Sequence, residues 1–202
     1  MSKARLGVLL SGRGSNFIAI ADAIANGSLN GCEIAVVIAN IADAPGLVVA
    51  KERGLKTELF VSKGVPREEH DAKMIAVLRA HEIDLVILAG YMRVLSADFI
   101  RAFPDQILNI HPSLLPSFTG LHAQRQALEY GAKFAGCTVH FVDEAVDHGV
   151  IVLQRVVPVE DTDDEAALAK RILKQEHQAY PEAIARVLSG RYAVDGRRYR
   201  QS

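Results

Sequence analysis

Four apolar runs of strand length, Leu6 to Leu10, Ile34 to Ala39, Leu55 to Val61 and Leu85 to Ala89, recur through the first half of the chain with helix-spaced segments between them. Phe17, Ile20, Ala21 and Ile24 fall on one helical face, and Met74, Ile75, Leu78 and, less cleanly, His81 on another, while Gly27, Gly31, Gly54 and Gly64 punctuate the joins. This rhythm reads as a parallel sheet covered by helices. Ile107 to His111, Thr138 to Val142 and Gly149 to Val159 look like further strands, with a helix over Leu121 to Tyr130, so the sheet is expected to continue as a mixed one. The expected class is α/β: a Rossmann-like parallel sheet in the N-terminal half continuing into a mixed sheet, with helices on both faces. At 202 residues, half of them apolar, the chain suits one well-buried core and is short for two ordinary domains. A single domain over 1–202 is expected, in two halves of about 1–100 and about 101–202.

Thr162 and Glu165 have the spacing of a capping box opening a long helix, whose apolar positions Leu168, Ile172, Tyr180, Ile184 and Leu188 recur in steps of four or eight. Pro181 is expected to kink it, since an interior proline removes a backbone donor. The acidic run Glu160 to Glu165 complements the positive end of that helix. In the tail RYAVDGRRYR, Asp195-Gly196 between short polar strands signals a hairpin, and its arginines read as solvated surface.

Lys plus Arg at 23 against Asp plus Glu at 24 leave no general field to draw the chain to nucleic acid or an anionic membrane. No apolar run approaches the roughly 20 residues of a membrane span, and nothing at the N-terminus reads as a secretory signal. Cys32 and Cys137 form no metal or redox motif, and a reducing cytoplasm fits best. Any binding must come from a local site.

One candidate is LLSGRGSN, at positions 9 to 16, straight after the first strand. A dinucleotide fingerprint wants a third glycine where Phe17 stands and an acidic residue where the second strand ends in Ala39-Asn40; a P-loop wants a G-K-[ST] that is absent. What remains is a short loop whose backbone N–H groups around Gly14, Ser15 and Asn16 point outward at a helix N-terminus, which suits a single phosphate. The alternative is an ordinary turn in which Ser15 or Asn16 merely caps the helix.

A second candidate lies in the second half. In Ile107-Leu108-Asn109-Ile110-His111-Pro112, strand alternation puts Asn109 and His111 on one face, and Pro112 stops the strand where open α/β sheets bind ligands. Alternation also aims Thr138 and His140 together, and Asp147-His148-Gly149 forms a turn before an apolar strand. An amide, an imidazole and a carboxylate gathered in one cleft suit acyl transfer by direct attack of an amine on a carbonyl. Asn109 would stabilise the oxyanion, His111 would carry a proton, and an adjacent carboxylate would favour its protonated form. Taken singly, a strand-end histidine is more often structural, and His70, His81 and His122 carry no functional expectation.

LLSGRGSN, LAGYMRVLS, LNIHPSLLPSFTGLHAQRQALEYG, GCTVHFVDEAVDHGVIVLQ and QEHQAYP occur in this order over most of the chain. They resemble the folate-dependent formyltransferases, the HPSLLP block and downstream D-x-G marking the superfamily and the GSN loop its phosphoribosylglycinamide formyltransferase branch. The resemblance implies transfer of a formyl group from 10-formyltetrahydrofolate to the amine of glycinamide ribonucleotide in purine biosynthesis, with no metal, in a monomer or homodimer. It implies Asn109, His111 and Asp147 as the catalytic trio. Gly14, Ser15 and Asn16 would hold the substrate phosphate, and Glu176 its ribose hydroxyls. Met92, Arg93, Val94 and Leu95 would cradle the pterin, Arg67 would lie near the folate's anionic tail, and His140, Thr138 and Asn109 would line the folate site. It also suggests a cis bond at Leu115-Pro116. Val150 and Thr119 stand where the family usually has proline, which bears on loop rigidity and leaves the reacting groups intact.

Three rivals compete with this reading. Formylation of methionyl-tRNA is expected to come with an extra C-terminal RNA-binding domain, and hydrolysis of formyltetrahydrofolate with an N-terminal regulatory domain. A non-catalytic nucleotide-binding module is opposed by the missing third glycine and ribose acid.

Overall fold

The computed structural model describes residues 3–201, and the chain forms two compact units, 1–108 and 109–202. The first unit holds β1 (Ala4–Leu10), α1 (Ser15–Ala25), β2 (Cys32–Ala39), α2 (Pro45–Glu52), β3 (Thr57–Leu59), α3 (Arg67–Ala80), β4 (Leu85–Leu88) and α4 (Ala97–Ala102). Its strands are parallel, in the order β3-β2-β1-β4. Val8, Leu9 and Leu10 of β1 and Val36 to Ala39 of β2 are fully buried, as expected of strands that have helices on both faces and therefore read as unbroken apolar runs. The expected strand over Leu55 to Val61 shortens to Thr57–Leu59. Among the described residues it pairs only with β2, and Leu59 and Val61 remain exposed. The next strand, β5 (Ile107–His111), begins at the end of this unit, where the Val86 amide donates to the Gln106 carbonyl at 2.8 Å.

The second unit holds the rest of β5, then α5 (Ala123–Tyr130), β6 (Phe134–Phe141), β7 (Ile151–Pro158), α6 (Glu165–Leu188) and the hairpin β8 (Tyr192–Asp195) and β9 (Arg198–Gln201). β6 lies beside β5 and pairs antiparallel with β7, which makes this part of the sheet mixed. β6 starts at Phe134, earlier than expected, because Phe134 to Cys137 pair with Arg155 to Pro158 across the ladder. The expected α/β class, parallel strands first and mixed strands after, is what the chain adopts.

One local expectation is corrected. No Thr162 capping box opens α6: the N-cap is Asp164, whose carboxylate accepts from the Ala167 amide at 2.7 Å. Asp164 sits immediately before Glu165, so it reaches the first-turn N–H groups that Thr162 was expected to meet. Pro181 lies inside the helix, which continues to Leu188. Tyr180, Ala183 and Ile184 around it are fully buried, and tertiary packing of that face outweighs one missing backbone bond. Among the described residues no helix is long and apolar enough to cross a membrane.

Candidate active site

β5 carries Asn109 and His111 to the strand end, and Pro112 follows. His111 Nδ1 lies 3.3 Å from Asp147 Oδ2, and both side chains are largely buried. The other ring nitrogen faces the Phe118 carbonyl at 2.8 Å. Both partners are acceptors, so a ring with hydrogen on each nitrogen meets both, and a neutral ring meets one. Asp147 Oδ2 also accepts from the Gly120 amide at 2.8 Å.

Asp147 and Phe118 both have positive φ, 52° and 54°. For residues with a Cβ this region is strained, and surrounding structure must hold it. Gly149 explains the glycine of the D-x-G turn: a Cβ there would lie 1.7 Å from the Phe141 carbonyl oxygen. Only a residue without one lets the chain pass that close.

His140 is 2% exposed. Burial pushes its imidazole below the ordinary range, with the Phe141 carbonyl and Asp147 acting in the opposite direction. Burial favours the neutral ring, and in that form Nδ1–H donates to the Phe141 carbonyl at 2.8 Å, leaving Nε2 to accept from the Asn109 amide nitrogen at 3.2 Å. That assigns the Asn109 orientation and leaves its second amide hydrogen for another acceptor. Thr138 is fully buried, and its hydroxyl is fully used: it donates to the Ser113 carbonyl and accepts from the Leu115 amide and Gln154. It ties the 113–115 turn to β6, beside the cis Leu115-Pro116 bond. Glu176, on α6, is 7% exposed. Its charge adds to burial in pushing the Cys137 thiol up to about 12, which leaves that thiol unreactive.

In the first unit, Gly14 is the N-cap of α1 with φ 70°, and no side chain caps that helix. The alternative in which Ser15 or Asn16 serves as the cap therefore does not hold. The first-turn N–H groups have no intrahelical acceptor and sit at the positive end of the helix dipole, a place suited to an anion. Arg13 is exposed beside them.

The segment after β4 is pinned through the Met92 backbone amide and the Arg93 side chain. The Met92 amide donates to Ser11 Oγ at 2.7 Å, Ser11 donates to Asn40, and Arg93 donates to the carbonyls of Ser62 and Val65, each at 2.7 Å. Met92 is 69% and Val94 54% exposed, while Leu95 is buried. Two apolar side chains on a fixed backbone at a strand's carboxyl end form an open apolar shelf. Simple core would not leave them exposed. Arg67 is the first residue of α3, half-exposed, with Nε 3.4 Å from Glu68.

The structure adds groups that the sequence did not single out. Phe118 and Gly120 contribute backbone atoms, for which a sequence carries no pattern, whereas Gln154 stands opposite Thr138 in the β6–β7 register, a pairing that alternation alone leaves open. His70 is a buried structural histidine, bonded to the Phe60 carbonyl at 2.8 Å. Among the described residues no group of three or more His, Cys, Asp or Glu is placed to hold a metal ion.

Residues 4–184 match the model of the formyl transferase family. The chain is 46% identical over 191 residues to the trifunctional purine biosynthetic protein adenosine-3 of Drosophila melanogaster, covering 93% of this chain and 14% of that protein. It therefore spans under a fifth of such multifunctional relatives, 19% for the human protein. It is 42% identical over 185 residues to phosphoribosylglycinamide formyltransferase of Escherichia coli strain K12, covering 91% of this chain and 87% of that one. The crystal structure of glycinamide ribonucleotide transformylase 1 from Symbiobacterium toebii superposes with a TM-score of 0.95 at 49% identity, covering 98% of this chain and 94% of the other.

Proposed function

The chain belongs to the formyl transferase family, and from that membership we propose that it transfers the formyl group of 10-formyltetrahydrofolate to the amine of 5'-phosphoribosylglycinamide. The observation that carries the reading is the imidazole of His111 held 3.3 Å from Asp147, with Asn109 oriented by His140 on the same side. The folate supplies the formyl carbon. The amine nitrogen attacks it, a C–N bond forms as the carbonyl oxygen gains charge, the bond to the folate nitrogen breaks, and one proton passes from the amine to that nitrogen.

Asn109 donates its second amide hydrogen to the developing oxyanion, a preorganised donor in a mostly buried setting. His111 works through Nε2. The Phe118 carbonyl holds that nitrogen in the absence of substrate, and the reacting oxygen or a proton-bearing nitrogen takes the carbonyl's place. Asp147 fixes the orientation of the ring from Nδ1.

In the same reading, Gly14, Ser15 and Asn16 bind the substrate phosphate and Glu176 its ribose hydroxyls. The exposed apolar shelf of Met92 and Val94, with the fixed backbone of Arg93 and Leu95, suits a flat pterin. Arg67 meets the folate's anionic tail, and His140 acts on the folate side through Asn109. The whole chain works as one formyltransferase domain, the first half contributing the phosphate loop and the second the catalytic trio. A cytoplasmic setting is supported by two free, buried cysteines.

The test is an absorbance assay with purified protein, a 10-formyl folate and glycinamide ribonucleotide, against a control lacking the ribonucleotide. Deformylation only in the complete mixture supports the transferase. Equal deformylation in the control identifies a hydrolase, and none in either mixture a passive binder.

A further inference from the structure

We infer that the C-terminal hairpin clamps the loop between β6 and β7, and that Arg197, at the hairpin turn, is a positioning residue for Asp147. The hairpin lies beyond the family-matched residues 4–184, and nothing in the proposed chemistry uses it.

The loop leaves β6 at Phe141 and enters β7 at Ile151. At its base the Phe141 amide donates to the Val150 carbonyl at 2.9 Å. Its middle is tied by Asp143, whose carboxylate accepts from the Ala145 amide at 3.1 Å and meets His148 Nδ1 at 2.8 Å. With Nδ1–H directed at Asp143, the Nε2 lone pair of His148 is an acceptor, and Arg197 Nη1 lies 3.3 Å from it. The second guanidinium nitrogen of Arg197 donates to the His148 backbone carbonyl. One side chain thus grips both the ring and the backbone of the residue that follows Asp147.

The hairpin is itself anchored. Tyr199 packs edge-on against Phe141 with ring centres 5.5 Å apart and stacks on Tyr192 at 5.4 Å, and the Arg186 guanidinium of α6 lies 6.0 Å from the Tyr192 ring centre. α6, the hairpin and the loop therefore form a continuous chain of contacts ending one residue from the catalytic carboxylate. Asp147 needs such support, because its φ of 52° lies in a region that a residue with a Cβ does not hold by its own preference. The guanidinium is a planar two-donor group suited to the grip, whereas lysine offers a single ammonium and can satisfy one acceptor at that reach less well than the pair.

The kinetic half of the test rests on the proposed formyl transfer, and the other half does not. On the full-length protein, Arg197→Ala is expected to speed amide hydrogen exchange over residues 142–150 by about tenfold while β6 and β7 exchange as before. It is expected to lower kcat for formyl transfer by about tenfold with KM for glycinamide ribonucleotide unchanged, because the reacting groups are mispositioned while the phosphate loop is untouched. Arg197→Lys should fall between the two in both measurements. Unchanged exchange in the loop, or exchange raised equally throughout the chain, overturns the clamp. Faster loop exchange with an unchanged kcat overturns the positioning role. A wild-type protein without transfer activity refutes the proposed function, and the exchange measurement then still decides the clamp.

Discussion

His111 sits between two acceptors, the Asp147 carboxylate on Nδ1 and the Phe118 carbonyl on Nε2, and in the proposed mechanism its removal takes away the proton carrier. His111→Ala is expected to lower kcat for formyl transfer by at least about a hundredfold, while calorimetry shows ribonucleotide affinity close to wild type. Transfer at the wild-type rate would remove His111 from the mechanism. At the other candidate subsite, Ser15→Asp places a charge against the phosphate proposed to bind at a helix start without a side-chain cap. A rise of about tenfold or more in KM for the phosphorylated substrate follows, and an unaltered KM means that the phosphate binds elsewhere. Asn109 and His111 were legible because alternation and Pro112 define where they point. The partners of His111 and Asp147 in the 118–120 turn were not, since they are backbone atoms of a loop shaped by left-handed residues.

The elements owe their ends to contacts of different range. α6 is capped by Asp164 rather than Thr162, so Asp164→Ala should destabilise the protein by about 1 kcal/mol in chemical denaturation, and Thr162→Ala should stay within about 0.5 kcal/mol. The reverse order would restore the capping box. The turn into β7 depends on Gly149, whose pro-chiral hydrogen faces the Phe141 carbonyl across a gap too small for a methyl group. Gly149→Ala is expected to cost roughly 3 kcal/mol and to abolish transfer by shifting the Asp147 loop. A stable, active Gly149→Ala protein would show that the loop relaxes freely. The length of the hydrophobic run indicated the buried strands β1, β2, β4 and β5 well and the edge strand β3 poorly, because an edge strand has one partner to extend it and no second face pair to favour it.

Over the whole molecule, two histidines link stability to pH. Burial holds His140 and His177 below the ordinary 6.5 in the folded chain, and the buried Nε2 of His177 has no hydrogen-bond partner among the described residues. When the pH drops below about 6.5, the unfolded chain binds protons at these positions that the folded chain refuses, so stability falls on acidification through that range and rises with pH within it. Thermal midpoints measured from about pH 7 to about pH 5 should show this slope, and His177→Gln should flatten it. An identical slope in the variant would assign the dependence to other groups. The linear order of residues determined by itself the strand and helix series, the parallel first half, the two glycine-bearing turns and which side chains share a strand face, since each of these depends on neighbours a few positions away. Only the tertiary structure decided which nitrogen of His111 meets Asp147, which nitrogen of His140 is free to hold Asn109, and that Arg197 reaches His148. These contacts close gaps of tens of residues, and their geometry depends on loop backbones and burial that no local pattern encodes.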